Sequence, residues 1–462
     1  MSPARTNLRL SSVEGVGVVA AIAVGSALTS FDATVINVAL PTLGADLGAN
    51  FSGLQWTVDV YLLLYGALLL SSGSLADRVG RQRLWLIGLS VFGAASLACG
   101  LAPDMRVMLC GRALQGVGAA LMTPCSLAIL HDTLHPADRD RAIGVWTGAS
   151  GLGAVLGPVT GGALVQYGHW RLAFLLNLPL ILASVALTWR FVPRSASKGD
   201  SRAVDWLGTS LVTLAPGGLV YALIEGPTHG LMSGSVLGGV AVSAVAFTLW
   251  RLREAASPRP MVPREVWRNV GFLAVNAVTV GLYFAFGGLS FSFVLAVQEA
   301  WHYPAVYAGA AVMPVMLLML GLSPVAGALT GRFGPRVLIT GGMAALGLGL
   351  AQLAVAFPSA PDLVRIAPGI ALVGVGIAFA LAPLSSAVVR SVVVNHAGVA
   401  AGVNTAVARL SMLAAVAVLP LLGNVDEVAG LVEATRRSFG VSAALCLVSA
   451  GMAWFLLPQQ RD

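Results

Sequence analysis

The sequence predicts an all-α polytopic membrane protein: fourteen transmembrane helices, both termini in the cytoplasm, arranged as two six-helix bundles with two linking helices between them. Three observations predict it. Of the 462 residues, 57% are hydrophobic and 10% are charged, whereas a soluble domain carries about 25% charged residues. One or two soluble cores cannot hide that much apolar surface, so part of the solvent must be lipid. The apolar residues fall in runs of roughly 20, the length that crosses a bilayer. The basic residues, which give a formal net charge of +7, sit in short clusters between those runs, as the positive-inside rule describes. They form no single patch, which argues against a nucleic-acid partner.

The expected spans lie near 15–39, 54–73, 84–102, 106–130, 142–166, 171–192, 204–224, 231–250, 270–297, 304–328, 336–356, 362–388, 397–422 and 439–457. The first follows Arg5 and Arg9, as a signal peptide would. Its apolar stretch continues to about Leu40, beyond the roughly 7–15 residues of a signal h-region, so it is read as span 1. Span 12 carries Pro368 and Pro383. With the N-terminus inside and the spans alternating, 20 basic residues fall on the inner side, Lys198, Arg202, Arg259 and Arg461 among them, and 5 on the outer. The outer ones are Arg106, Arg171, Arg365, Arg436 and Arg437, while Arg112 and Arg409 fall inside spans. A wrong span count would mix the two groups.

The two longest inner loops, 193–203 and 251–269, bracket spans 7 and 8, and the second holds Pro258, Pro260 and Pro263, which interrupt helices. The expected division is therefore 1–192 for the N-terminal bundle, 193–269 for the linkers with spans 7 and 8, and 270–462 for the C-terminal bundle. Lysine appears once, at Lys198, and this arginine bias points to a GC-rich bacterial genome. The four cysteines, Cys99, Cys110, Cys125 and Cys446, lie inside apolar runs and match no zinc or redox spacing. They are read as buried free thiols, and no metal or cofactor site is expected.

After span 2 the chain reads Gly73-Ser-Leu-Ala-Asp77-Arg78-Val-Gly80-Arg81-Gln-Arg83, and after span 10 a weaker copy reads Gly327-Ala-Leu-Thr-Gly331-Arg332-Phe-Gly334-Pro-Arg336. Glycines let two helices approach around a tight turn, and the acid, absent from the second copy, can cap a helix or pair with a basic neighbour. A copy eight spans later indicates structural repeats with two helices inserted between them. Span 1 ends in Phe31-Asp32-Ala-Thr34-Val-Ile-Asn37-Val-Ala-Leu-Pro41, and span 2 opens with Trp56-Thr-Val-Asp59-Val-Tyr61. Span 4 holds Arg112-Ala-Leu-Gln115-Gly116-Val-Gly118, and span 6 opens with Trp170-Arg171-Leu-Ala-Phe174-Leu-Leu-Asn177-Leu-Pro179. Span 5 spaces Gly144, Gly153, Gly157, Pro158, Gly161 and Gly162 as G-x8-G-x3-G-P-x2-G-G.

Together these motifs resemble the major facilitator superfamily, and in particular its fourteen-helix drug:proton antiporters, over nearly the whole chain. The resemblance implies the major facilitator fold in a bacterial inner membrane and export of small molecules in exchange for protons. It makes the span 5 glycines an antiporter motif, although close helix packing explains them as well. It makes Gly73, Asp77, Arg78, Gly80 and Arg81 a gate on the inner side. The span 6 motif is assigned a structural role at the outer face.

A carboxylate in hydrocarbon costs several kcal/mol unless paired, hydrated or protonated. At about 1.5 Å per residue, Asp32 lies roughly 12–13 Å inside the outer end of span 1, Asp59 roughly 8 Å inside span 2 and Arg112 roughly 9–10 Å inside span 4. One polar cluster of the three is expected, with Asp32 as main proton carrier, Asp59 as second carrier or cation-binding group, and Arg112 tuning both. The competing reading is a static Asp–Arg pair that fixes packing. Asp32→Asn is expected to leave folding largely intact and to stop proton movement. Candidate cavity residues are Tyr61, Tyr65, Gln115, Tyr283, Phe286, Asn404 and Arg409, the aromatic ones to stack on a flat apolar substrate. Span 13 offers Asn404 and Arg409 but no carboxylate, which favours monovalent cations, neutral or zwitterionic compounds over dications.

Other classes fit less well. Lys198 follows Arg-Ser-Ala-Ser without a glycine-rich loop, so no P-loop ATPase is present. Gly148-Ala-Ser150-Gly151 resembles the surroundings of an intramembrane serine nucleophile, yet His229, His302 and His396 all fall in loops or at span ends. A lipid or glycolipid flippase on the same fold is the alternative transporter, and a non-transporting sensor would not need acids in lipid. The expected partners are a small-molecule substrate, protons and the bilayer, with the proton gradient as energy source and the chain acting as a monomer.

Overall fold

The computed structural model describes residues 7–194, 205–257, 260–357, 362–393, 397–425 and 427–457. Arg5, Lys198, Arg202, Pro258, Arg259, His396 and Arg461 lie outside them. The described residues are almost entirely helical, with one isolated bridge between Leu8 and Leu134. That is what lipid requires, because a helix satisfies its backbone groups internally.

The helices are α1 (Val13–Leu47), α2 (Phe51–Val79), α3 (Arg81–Gly100), α4 (Met105–Thr133), α5 (Pro136–Tyr167), α6 (Arg171–Leu175) and α7 (Asn177–Phe191). They continue with α8 (Trp206–His229), α9 (Gly234–Ala256), α10 (Arg264–Arg268) and α11 (Val270–Gly288), which runs through a π-helical turn at Leu289–Phe293 into α12 (Val294–Glu299). The last four are α13 (Ala305–Ala356), α14 (Leu363–Arg390), α15 (Ala397–Val418) and α16 (Val428–Leu456). Several starts are capped as their sequences dictate. Ser12, Asn50, Asp104 and Asn269 each accept a bond from the backbone N–H three residues on.

Twelve of these helical stretches are long and apolar enough to cross a membrane, or thirteen with the bent pair Phe51–Leu69 and Ser71–Val79 taken as one. The expected fourteen is not reached, because two expected spans lie in α13, a single helical run of 52 residues. Within it Gly334 has φ 76° and ψ 158°. Its counterpart in the first motif, Gly80, has φ 97° and ψ 133° and separates α2 from α3. Only glycine takes such angles without strain. The motif copy is thus also a copy in backbone geometry.

The helices overrun the expected spans. α1 continues to Leu47, and α16 begins at Val428, so Arg436 and Arg437 lie within a helix. Residues that would be stranded in water, such as Trp189 (74% exposed) and Phe455 (80%), stand on the outer surface, where lipid is the solvent. Cys110 is exposed, against the expectation of four buried thiols. It occupies an outward position on α4, where an apolar residue meets lipid as readily as core.

The chain forms two compact units, Met1–Thr209 and Ser210–Asp462. In the first, α1 packs on α5 and α7, α3 on α4 and α7, and α2 on α4. In the second, α13 packs on α14 and α16, and α11 on α15 and α16.

Candidate functional site: a buried ion pair in the first unit

The α1–α5 contact places the key acid. A Cβ at Gly153 would overlap the carbonyl of Ala27, one at Gly157 would overlap Thr34 Oγ1, and one at Gly161 would come within 2.6 Å of Val35 Cγ2. Three glycines four residues apart form one bare face of α5, and it lies against the stretch of α1 that carries Asp32. Thr34 Oγ1 adds a bond across this contact to the Ala154 carbonyl, 3.2 Å away. Gly144 meets nothing within 4 Å and takes no part. Pro158 and Gly162 are buried on the same helix.

Asp32 sits at the centre of a polar network. Arg112 Nη1 donates to Asp32 Oδ2 at 2.7 Å and to Gln115 Oε1 at 2.8 Å. Gln115 Nε2 and Asn177 Nδ2 donate to Asp32 Oδ1 at 3.0 and 2.8 Å. Both amides also reach Ser96 Oγ, at 2.9 and 3.3 Å. Arg112 Nε donates to the Thr57 carbonyl at 2.9 Å, and the guanidinium lies 4.4 Å from the Tyr61 ring centroid. Asp32, Ser96, Arg112, Gln115 and Asn177 are all 0% exposed. In so dry a site a charge is tolerable only because it is paired and hydrogen-bonded, although Arg112 Nη2 and Asn177 Oδ1 are buried without a partner among the described residues.

Asp59 stands apart. Thr57 and Tyr61, four residues apart, share the face of α2 that meets Arg112, while Asp59 between them is turned by about 200° from Thr57. Both its carboxylate oxygens are buried and, among the described residues, without a hydrogen-bond partner. The geometry brings Asp32 and Arg112 together and leaves Asp59 on another face of its helix. Asp32 also lies deeper than expected, about 22 Å before the end of α1, because the helix extends to Leu47. That extension is held at its C-terminal end by Asp46, which accepts from Arg171 Nη1 at 2.6 Å and Trp170 Nε1 at 2.9 Å.

At the other end of the unit, Arg81 donates to Asp77 at 3.4 Å, to Asp132 on α4 and to the Ala128 carbonyl at 3.2 Å. Arg78 is exposed and Gly73 meets nothing within 4 Å of a built Cβ. Tyr65 Oη pairs with Thr123 Oγ1 at 2.8 Å. In the second unit, Asn404 Nδ2 donates to Thr279 Oγ1 at 2.6 Å and to Asn276 Oδ1 at 3.2 Å, while Arg409 Nη1 approaches Met412 Sδ at 3.9 Å. Tyr283 and Phe286 are half-buried on α11.

Gln115, expected in the cavity, and Asn177, expected in a structural motif, both bind Asp32. Their signal was a buried-depth amide, as costly in lipid as an unpaired hydroxyl. Ser96, the Thr57 carbonyl and Asp132 carried no comparable signal.

A helical membrane protein with repeated halves and a buried ion pair defines a class, that of secondary transporters. The sequence matches the Major Facilitator Superfamily over residues 22–416, and the chain belongs to that family of transporters; it is not an enzyme. Among its relatives, the multidrug resistance protein Stp of Mycobacterium tuberculosis is 34% identical over 84% of this chain and 72% of its own. The methylenomycin A resistance protein of Streptomyces coelicolor is 32% identical over 95% and 90%. The puromycin resistance protein pur8 of Streptomyces alboniger is 32% identical over 94% and 90%. A crystal structure of a POT family transporter in complex with a thioalcohol-conjugated peptide superposes with a TM-score of 0.71, covering 94% of each chain at 13% identity. That likeness concerns the fold.

Proposed function

We propose that the protein is a proton-coupled antiporter that exports small hydrophobic or amphipathic molecules, antibiotics among them, across a bacterial inner membrane by alternating access. The observation that carries this reading is the fully buried Asp32–Arg112 pair, a charge that lipid depth penalises unless it does work. A proton reaching Asp32 neutralises it, loosens its hold on Arg112 and shifts α1 against α4. Asp59, whose carboxylate oxygens have no hydrogen-bond partner among the described residues, is proposed as a second proton carrier or as the group that meets a cationic cargo. Arg81, bridging Asp77 and Asp132, holds the inner side closed. The named resistance functions of the relatives support drug export over lipid flipping.

The proposal includes fourteen spans with both termini inside: Phe51–Val79 taken as one span gives thirteen, and dividing Ala305–Ala356 at Gly334 gives the last. At about 78 Å, that run is more than twice the hydrocarbon thickness of about 30 Å. The division 1–192, 193–269 and 270–462 and a monomeric working state belong to the same proposal. One proton moving through 100 mV supplies about 2.3 kcal/mol, enough for roughly tenfold or greater accumulation.

The test is a compound panel, puromycin and methylenomycin A included, in an efflux-deficient bacterial host with and without a protonophore. Resistance that the protonophore abolishes is expected. It should be matched in proteoliposomes by proton release coupled to cargo movement. Cargo movement with no proton flux and no response to collapsing the gradient would overturn the coupling.

A further inference from the structure

The second unit contains a cavity that the transport reading does not use. It has a volume of about 710 Å³ and lies where the start of α11, the end of α14, the Gly334 break of α13 and the end of α16 converge. Among the described residues its walls include Arg268, Asn269, Gly271, Val275, Arg390 and Leu457, and no acidic residue. Neither Arg268 nor Arg390 makes a side-chain hydrogen bond or ion pair among the described residues. A third guanidinium, that of Arg336, follows the lining residue Pro335 and lies 4.7 Å from the Trp454 ring centroid, with its Nε buried and unpartnered. Two guanidiniums that line one cavity, with no acid among its described walls, repel one another, and an anion relieves this. The first turn of α11 adds its own positive end, although Asn269 already takes one N–H, that of Phe272.

The rest of the wall is apolar, and part of it is open: Val270 is 60% exposed and Leu456 is 42% exposed. A pocket for a small free anion has no need of an exposed aliphatic flank. A lipid has a phosphate for the arginines and chains for the flank. All three arginines also belong to the group that the charge pattern places on the inner side, at headgroup depth.

We propose that this cavity binds an anionic phospholipid at the inner leaflet, with Arg268 and Arg390 holding the phosphate and Val270, Val275 and Leu457 receiving the start of an acyl chain. Basic pockets between helices at a cytoplasmic membrane face suit such headgroups, each arginine near the surface adding about 1 kcal/mol. The lipid would tie the start of α11 to the end of α14, two elements on either side of the Gly334 break.

The test uses the full-length protein in neutral detergent, with bound lipid counted by native mass spectrometry and stability followed by thermal unfolding. Phosphatidylglycerol is expected to bind and raise the unfolding midpoint, while phosphatidylcholine and inorganic phosphate do neither. In R268Q/R390Q the affinity for phosphatidylglycerol should fall by about 30-fold. R268K/R390K, which keeps the charges, and R251Q, which removes an arginine elsewhere on the inner side, should bind like wild type. Each single glutamine variant gives the same comparison if the double variant does not fold. Undiminished binding in the glutamine variants, or equal binding of phosphatidylcholine, overturns the proposal. Full displacement of phosphatidylglycerol by inorganic phosphate overturns it too, assigning the site to a free anion. The readout is lipid binding, so it is independent of proton coupling and of cargo.

Discussion

Asp32 and Asp59 are both acids on apolar helices, yet their surroundings give them opposite behaviour on substitution. Asp32 takes donors from Arg112, Gln115 and Asn177. Asp32→Asn leaves the Arg112 charge buried without its counter-charge, a loss of about 3–5 kcal/mol in comparable buried pairs. The network thus adds a stability cost to the expectation that this variant leaves folding largely intact. A lowered unfolding midpoint in detergent is expected, with much of it recovered in Asp32→Asn/Arg112→Gln. Asp59→Asn removes no pairing and relieves a buried unpartnered acid, so its unfolding midpoint should not fall below that of wild type while proton release per cargo molecule, read in proteoliposomes, changes. An equal loss of stability in both variants would show that Asp59 has a partner after all.

At the scale of the helix, the glycines of α5 are not equivalent. Gly157→Ala forces a methyl into Thr34 and Gly153→Ala into the backbone of α1, and overpacking of this kind costs about 1–3 kcal/mol. Gly144→Ala meets open space and should be neutral or stabilise by up to about 1 kcal/mol. Melting curves of the three variants in one detergent separate packing from motif membership. Gly334→Ala should destabilise by about 1–3 kcal/mol because φ 76° strains any side chain there. This is also where the sequence was most legible. Apolar runs of about 20 residues located the helices, and the repeat of Gly80 at Gly334 announced a second backbone break. Helix ends were less legible, because α1 passes Pro41 and leaves the apolar run before stopping at Gly48. Its last turns are fixed by Asp46 reaching Arg171, a partner 125 residues away. For the same reason Asp32 and Arg112 could be named from residue type and depth, whereas the separation of Asp59 depended on which face of α2 meets α4.

Across the molecule, the two units carry different chemistry. The first holds the buried Asp32–Arg112 pair and the Arg81 bridge. The second offers amide and hydroxyl groups around Asn404 and a basic cavity. The close contact of α1 with α5 has a further consequence. Where two backbones touch at three successive glycine positions, neither helix can turn or slide without its mate, so they must travel as one stiff couplet. Spin labels on the exposed positions Val16 and Val145 would act as a ruler across it. Their separation should stay constant while cargo and pH are varied, even as other label pairs change, and a spacing that drifts with pH would mean that the seam beside Asp32 opens.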